Sequence, residues 1–396
     1  MYYPNHLIKC IFSFALLIGQ NCQAQAIDQD QVFFAGSSFI SDAADIERRF
    51  PLISKVMKTA SAGSSLNVLD KNLRTLVMSA HPKFFAIANK DGNSQPDYKK
   101  DSGKALSFAF SHENVEIQQF ENKFLAIYDI SAQALFFDFS PEKKHLLASY
   151  PVRIRFTNLT QNRPDFKEQF EIIKELILNP TQESSLVRQW LKRIEQASLK
   201  VSDRLVKVEK AEFDPKALAL VPGQVDQARF SVEVAQLLEA TISEEWGVPM
   251  VPVTEGQAIK GKMVQVFSNG DAAEFELPAP SFFVRTLIRD YRKISEPLPN
   301  GAGDRVAYGV FITTSVNGQA GPVAELKVKN VESITQPAII KIRLDDWSQF
   351  KTVLSTLLIK TVKQVLAKDR SWIAENSTTA DAKAQLDSIK TRILRM

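Results

Sequence analysis

The run Phe124-Leu125-Ala126-Ile127-Tyr128-Asp129-Ile130-Ser131-Ala132-Gln133-Ala134-Leu135-Phe136-Phe137-Asp138-Phe139 decides the fold: it is long, and apolar on both faces at its end. A central strand covered on both sides reads this way. On either side of it the period is two. Leu106, Phe108 and Phe110 alternate with Ser107, Ala109 and Ser111, and Val115 and Ile117 alternate with Glu116 and Gln118. Val152, Ile154 and Phe156 point one way while Arg153 and Arg155 point the other. Successive side chains of a strand face opposite sides, so these segments predict a largely antiparallel meander.

Helical spacing brackets the meander. Ile46, Phe50, Ile53 and Val56 place a helix over 43–59, with Pro51 breaking it or delaying its start. Leu66, Leu69, Leu73 and Leu76 place another over 65–79, and the polar run Asn89 to Asp97 is a loop. After the strands, Pro164 and Asp165 open a helix with a stripe at Phe166, Phe170, Ile173 and Ile177, stopped by Asn179-Pro180.

The second half runs through similar elements. A helix spans 227–246, ended by Gly247. Strands are expected at 249–253, 263–267 and 274–277, the last two joined through the hairpin signal Asn269-Gly270. A short helix is expected over 281–293, strands over 305–316, 321–329 and 338–344, and a closing helix over 346–368. Each half also ends alike. Tyr150-Pro151 leads an alternating basic strand and then Asp165-Phe166, while Gln336-Pro337 leads another and then Asp346-Trp347.

The expected class is therefore α+β, with two lobes of mixed or antiparallel sheet and flanking helices, and with a degenerate internal repeat as an open alternative. The lobes are placed at 27–180 and 227–372, joined by a charged helical linker at 181–226 and followed by a polar tail at 373–396. Leu386, Ile389 and Ile393 make that tail either a frayed helix or a segment that docks on a partner.

The N-terminus has Lys9, an apolar run from Cys10 to Gly19, and Ala24-Gln25-Ala26. This is the pattern of a cleaved secretory signal at residues 1–26, and the apolar run is shorter than the ~20 residues that span a bilayer. Cleavage after Ala26 removes both cysteines, Cys10 and Cys22, and predicts a periplasmic protein without a disulfide or thiolate nucleophile. Gln20 and Asn21 fit a lipoprotein signal poorly. The net charge of +4 is close to balance and its bases are interleaved with acids, which argues against nucleic-acid binding.

No pattern in the chain assigns a catalytic, cofactor-binding or metal-binding residue, and no cofactor is expected. His81, His112 and His145 lack zinc-site spacing and read as surface histidines. Ser140-Pro141-Glu142-Lys143 and Ser348-Gln349-Phe350-Lys351 have the S-x-x-K spacing without the K-[ST]-G triplet of penicillin-recognising enzymes. Asp346 reads as a helix N-cap and Glu244-Glu245 as a solvated face. At the level of fold plan alone, without a shared motif, the two-lobed arrangement is broadly similar to bacterial envelope assembly factors.

These readings lead to an exported, non-catalytic binding or scaffolding component of an envelope assembly or secretion apparatus. Its partners would be envelope proteins, with no transmembrane span in the mature chain and homo-oligomerisation left open. Two alternatives predict different structures. A hydrolase of envelope polymer needs carboxylates converging in a cleft. A carrier needs an enclosed apolar cavity bordered by Phe108, Phe110, Phe136 and Phe137. A scaffold needs an exposed patch or an open sheet edge.

Overall fold

The computed structural model describes residues 30–58, 67–88, 101–120, 123–179, 181–199, 204–253, 261–338 and 345–394. The expected signal with Cys10 and Cys22, the polar loop at 89–97, and all but Ala338 of the strand expected at 338–344 lie outside them.

The first half begins with β1 (Asp30–Phe39) and the short helices α1 (Ile46–Arg49) and α2 (Ile53–Met57), split around Pro51 as its missing N–H demands. Then come α3 (Val68–Ser79), β2 (Phe85–Ile87) and the long meander β3 (Gly103–Phe120), β4 (Lys123–Phe139) and β5 (Lys144–Thr160). Two helices follow, α4 (Phe166–Leu178) and α5 (Leu186–Gln196). Asp165 caps α4 in a reciprocal box, accepting from the Glu168 N–H while the Glu168 carboxylate accepts from its own.

The second half has β6 (Val206–Val208), β7 (Glu212–Phe213), α6 (Pro215–Leu218), α7 (Gln227–Trp246) and β8 (Met250–Val251). The hairpin β9 (Lys262–Phe267) and β10 (Ala272–Glu276) precedes a second meander, β11 (Phe282–Pro297), β12 (Gly303–Gly318) and β13 (Gly321–Pro337). The chain finishes with α8 (Asp346–Lys363), α9 (Ser371–Asn376) and α10 (Ala382–Ile389).

The helix expected over 281–293 is thus a strand. Val284, Thr286 and Ile288 alternate inward on β11, and β-branched residues with a long hairpin partner in β12 favour the pleated form.

All strands join one 13-stranded sheet in the order β10-β9-β1-β3-β4-β5-β8-β6-β11-β12-β13, with β2 on β1 and β7 on β11. The β9–β10 hairpin also reaches β5 through Glu276 and His145, closing a ring around Phe137, Phe139, Leu146, Met263 and Phe275.

The halves correspond over five strands each, β1 to β5 with β6, β8, β11, β12 and β13, while β7, β9 and β10 stand outside the match. In each, the first strand pairs in parallel with a short strand (β1 with β2, β6 with β8) and also in parallel with the first strand of the meander. The irregularities coincide as well. Ser111 is the extra residue between the Phe110–Ala132 and His112–Ser131 pairs, and Arg289 is the extra residue between Ile288–Ile312 and Asp290–Phe311. Leu147 and Val323 are the extra residues of β5 and β13, opposite Phe136–Phe137 and Val316–Asn317. Pro151 therefore corresponds in place to Lys327. Pro337 ends β13, so the two proline-led stretches are not counterparts in register.

The units meet where Ser149 of β5 pairs antiparallel with Met250 of β8. Helix α7, apolar on more than one side, lies between the units: Phe230, Leu238 and Ile242 enter the second core, while Gln236 donates to the Ser111 carbonyl at 3.3 Å. The C-terminal residues pack on their own unit, with Ile373, Leu386, Ile389 and Ile393 buried in the second core. This overturns the expectation of a frayed or partner-docking tail, because the apolar stripe finds its cover on β13.

Candidate functional site

Two places on this frame gather polar side chains. The first is the joint between the units. From β3, β4 and β5 come Glu116, Asp129 and Arg153; from α7 come Arg229 and Glu233; from α8 come Ser348 and Lys351. Arg153 grips Asp129 with two hydrogen bonds, Nε to Oδ1 at 2.7 Å and Nη2 to Oδ2. Burial would raise the Asp129 carboxyl, but the guanidinium more than offsets it and holds the group below the usual carboxylate range. Glu116 accepts from Ser348 Oγ at 2.7 Å and from Lys351 Nζ at 2.5 Å, and these contacts likewise outweigh burial and lower it. Glu233 pairs with Arg229 at 3.3 Å, yet burial wins there and raises it.

Glu113 faces the other side of the same sheet, accepting the N–H groups of Leu52 and Ile53, both at 2.9 Å, at the start of α2. Desolvation, opposed by those two N–H groups, pushes it up to about 7. His112 is drawn into the joint as well. Burial lowers it to about 4, so the surface reading of this residue is corrected: the extra residue in β3 turns it towards Asp129 and Arg153. His145, by contrast, is half-exposed beside Glu276, and His81 is exposed.

The S-x-x-K spacing at Ser348 and Lys351 sets both side chains on one helix face, where they hold Glu116. The other such spacing closes a tight turn, with Lys143 N–H donating to Ser140 Oγ at 3.1 Å. The N-cap of α8 is Asp345, which accepts from Trp347 N–H. Asp346 instead binds Lys293 and the Tyr308 hydroxyl, correcting the expected cap by one residue. Among the described residues, no three His, Cys, Asp or Glu side chains are placed to hold a metal ion.

The second place is a groove of about 240 Å³ lined by Pro151, Val152 and Arg153 of β5, by Gln189 and Arg193 among others of α5, and by Ala240 and Glu244 of α7. Its floor is a strand edge. Beyond Ser149, no strand among the described residues pairs with this side of β5. Lys192 and Arg193 stand on its rim, and burial lowers Arg193. Arg153 Nη1 is buried without a hydrogen-bond partner.

The four phenylalanines expected around an apolar cavity do not share one. Phe108 and Phe136 are packed against Trp190 and Tyr150, with centroids 5.3 and 6.0 Å apart, and Phe108 meets Phe110 at 4.9 Å. Phe137 lies on the opposite face, 4.8 Å from Phe275. The alternation of β4 sends 136 and 137 to different sides, so the carrier reading loses its structural basis.

Sequence reasoning missed the joint because its members are 116, 129, 153, 233 and 351, separated by long stretches of chain. It passed over the groove because Pro151 was read as a strand opener.

Fold and site together define an α+β protein in which, among the described residues, no strand pairs with the edge of β5 beyond Ser149, beside a groove lined by Arg153, Lys192 and Arg193. No family model matches the chain, and no curated protein matches it. Among solved structures, it is similar over 44% of its length to 94% of a minor lipoprotein of Acinetobacter baumannii, at 11% identity and a TM-score of 0.21. It is similar over 43% of its length to 98% of a hypothetical protein of Chlamydia trachomatis, at 11% identity and a TM-score of 0.20. Likenesses this weak carry no inference about function.

Proposed function

We propose that this protein is an exported, non-catalytic binding or scaffolding component of a bacterial cell-envelope assembly or secretion apparatus, working in the periplasm after cleavage behind Ala26. The observation that carries the reading is the open edge of β5 with its groove: unpaired backbone donors and acceptors are a ready template for another chain. The charged N-terminus, short apolar run and A-x-A end support export. Among the described residues, no helix is long and apolar enough to cross a membrane. In-cell cross-linking of the tagged mature chain, followed by capture from the envelope fraction, should recover one defined membrane complex. Recovery of the chain alone would overturn the proposal.

One observation favours a hydrolase as second reading. Glu116, Asp129 and Glu233 line a single cleft of about 60 Å³, with Glu233 raised and the other two lowered. Carboxylates pushed apart in this way can divide acid and base roles. The space admits water but no sugar ring, so catalysis would require the units to part. Release of soluble fragments from isolated envelope polymer by the wild-type chain, and its loss in Glu233→Gln, would favour this reading; an inert wild-type chain removes it.

A further inference from the structure

The second unit already shows what its counterpart edge does. On β13, Ser377 bridges Val328 antiparallel, Thr378 N–H donates to the Lys327 carbonyl at 2.9 Å, and Lys327 N–H donates to Thr379 Oγ1 at 2.8 Å. An extended segment of the chain's own C-terminal region thus lies along Lys327–Val328, and Gln385 Oε1 accepts the Glu325 N–H beside it at 3.0 Å. Counted from the matching extra residues Leu147 and Val323, Lys327–Val328 corresponds to Pro151–Val152. These are the residues that floor the groove on β5.

We infer that the edge of β5 from Pro151 to Arg155 receives an extended acidic segment of a partner protein as an added antiparallel strand. This rests on the binding reading above and names its ligand.

Three features fix the chemistry. First, backbone direction alternates along a strand. Lys327 turns its N–H and carbonyl outward, so Pro151, Arg153 and Arg155 do the same at the matching edge. Proline is tolerated at that position because its absent N–H would have faced outward. An incoming strand can therefore donate to the Pro151 carbonyl and exchange both bonds with Arg153. Second, α5 and α7 wall the edge on either side and leave a groove of about 240 Å³ along it. Third, bases outnumber acids in the lining. Arg153, Lys192 and Arg193 line the groove with one acid, Glu244, while Glu245 also acts on Arg193 and Glu233 on Arg153 from outside it. Lys192 is engaged by Glu183 and Arg153 by Asp129, but Arg153 Nη1 remains unpartnered and Arg193 is partly desolvated. A carboxylate at alternate positions of the incoming strand would complete these cations.

The test uses the full mature chain carrying a photo-cross-linking residue at Gln196 on the groove lip, or at the exposed Leu220 as a control, irradiated in cells. Mass spectrometry of the adduct reads the captured segment, which is then synthesised with and without alternate backbone N-methylation. The expected result is a Gln196-specific adduct on an acidic segment. The free peptide should shift the amide resonances of Arg153 and Arg155, and N-methylation should weaken it about tenfold or more, since it removes the ladder bonds. Lys192→Glu, a change at an exposed position, should reduce the adduct by a similar factor with the fold intact by circular dichroism. If the tagged chain captures its complex while the Gln196 probe stays silent, the binding reading stands and this inference fails. It fails equally if the segment is basic or neutral, or if N-methylation is without effect. Absence of any complex overturns the reading on which it rests.

Discussion

Arg153 is the residue on which most of the polar architecture converges. It holds Asp129 inside the joint, sits beside His112, and lines the groove at the open edge. Removing one partner of a buried pair leaves an uncompensated charge, so Asp129→Ala should cost about 3–5 kcal/mol in urea unfolding. The double change Asp129→Leu with Arg153→Met should restore most of that loss, because neither charge then needs solvation. A cost under about 1 kcal/mol for the single change would show the pair to be solvated. Glu113 supplies a pH signature. Its folded value near 7 lies above that of an unfolded glutamate, about 4.3, so the folded state holds the proton more tightly. The stability it contributes is complete below the unfolded value and is lost as pH rises towards 7, by about 4 kcal/mol in total. His112, held near 4, works in the opposite sense: its contribution is present above about 6.5 and is lost as pH falls through 4. The difference in stability between wild type and Glu113→Gln isolates the first effect. It should fall as pH is raised from about 4.5 to 7 and then level off, whereas a difference flat with pH would contradict this account.

At the scale of elements, caps and covers decide what forms. Asp165→Ala removes half of the reciprocal cap of α4 and should cost about 1 kcal/mol in thermal or urea unfolding. Leu386→Ala should cost about 2–5 kcal/mol, since that side chain is fully buried between α10 and β13. Cutting the chain after Asp369 should go further. It bares Glu325 to Val328, and size-exclusion chromatography should show concentration-dependent association of the shortened chain. These same elements show what could be read from the sequence. The meander was legible because Phe108, Phe110, Val152 and Ile154 keep a strict period of two. The α4 start was legible because Pro164 and Asp165 both suit the opening of a helix. The strand at 282–297 was not, because Phe283, Leu287 and Tyr291 also fit a helical stripe and only the pairing with β12 arbitrates. The fate of the tail was equally hidden, since an amphipathic helix carries no record of which sheet covers it.

At the scale of the molecule, two sets of five strands with the same pairing order share one sheet, and the use of the edges of β5 and β13 distinguishes them. Among the described residues, β5 meets β8 at Ser149, the C-terminal region covers β13 at Glu325 to Val328, and no strand pairs with β5 from Pro151 to Arg155. The sequence could suggest two similar halves, but the proline-led stretches that prompted the comparison are not counterparts. The matching lies in the extra residues Ser111 and Arg289, and Leu147 and Val323, which share no residue type. Such a repeat is written in hydrogen-bond register, which residue identity does not record. Hydrogen exchange on the envelope complex, set against the free chain, is the most direct test of strand addition at the open edge. The account predicts amides of Arg153 and Arg155 slowed about tenfold or more by the partner, with Lys327, already bonded to Thr379, unchanged. Equal exchange at Arg153 and Arg155 in the free and assembled protein would contradict it.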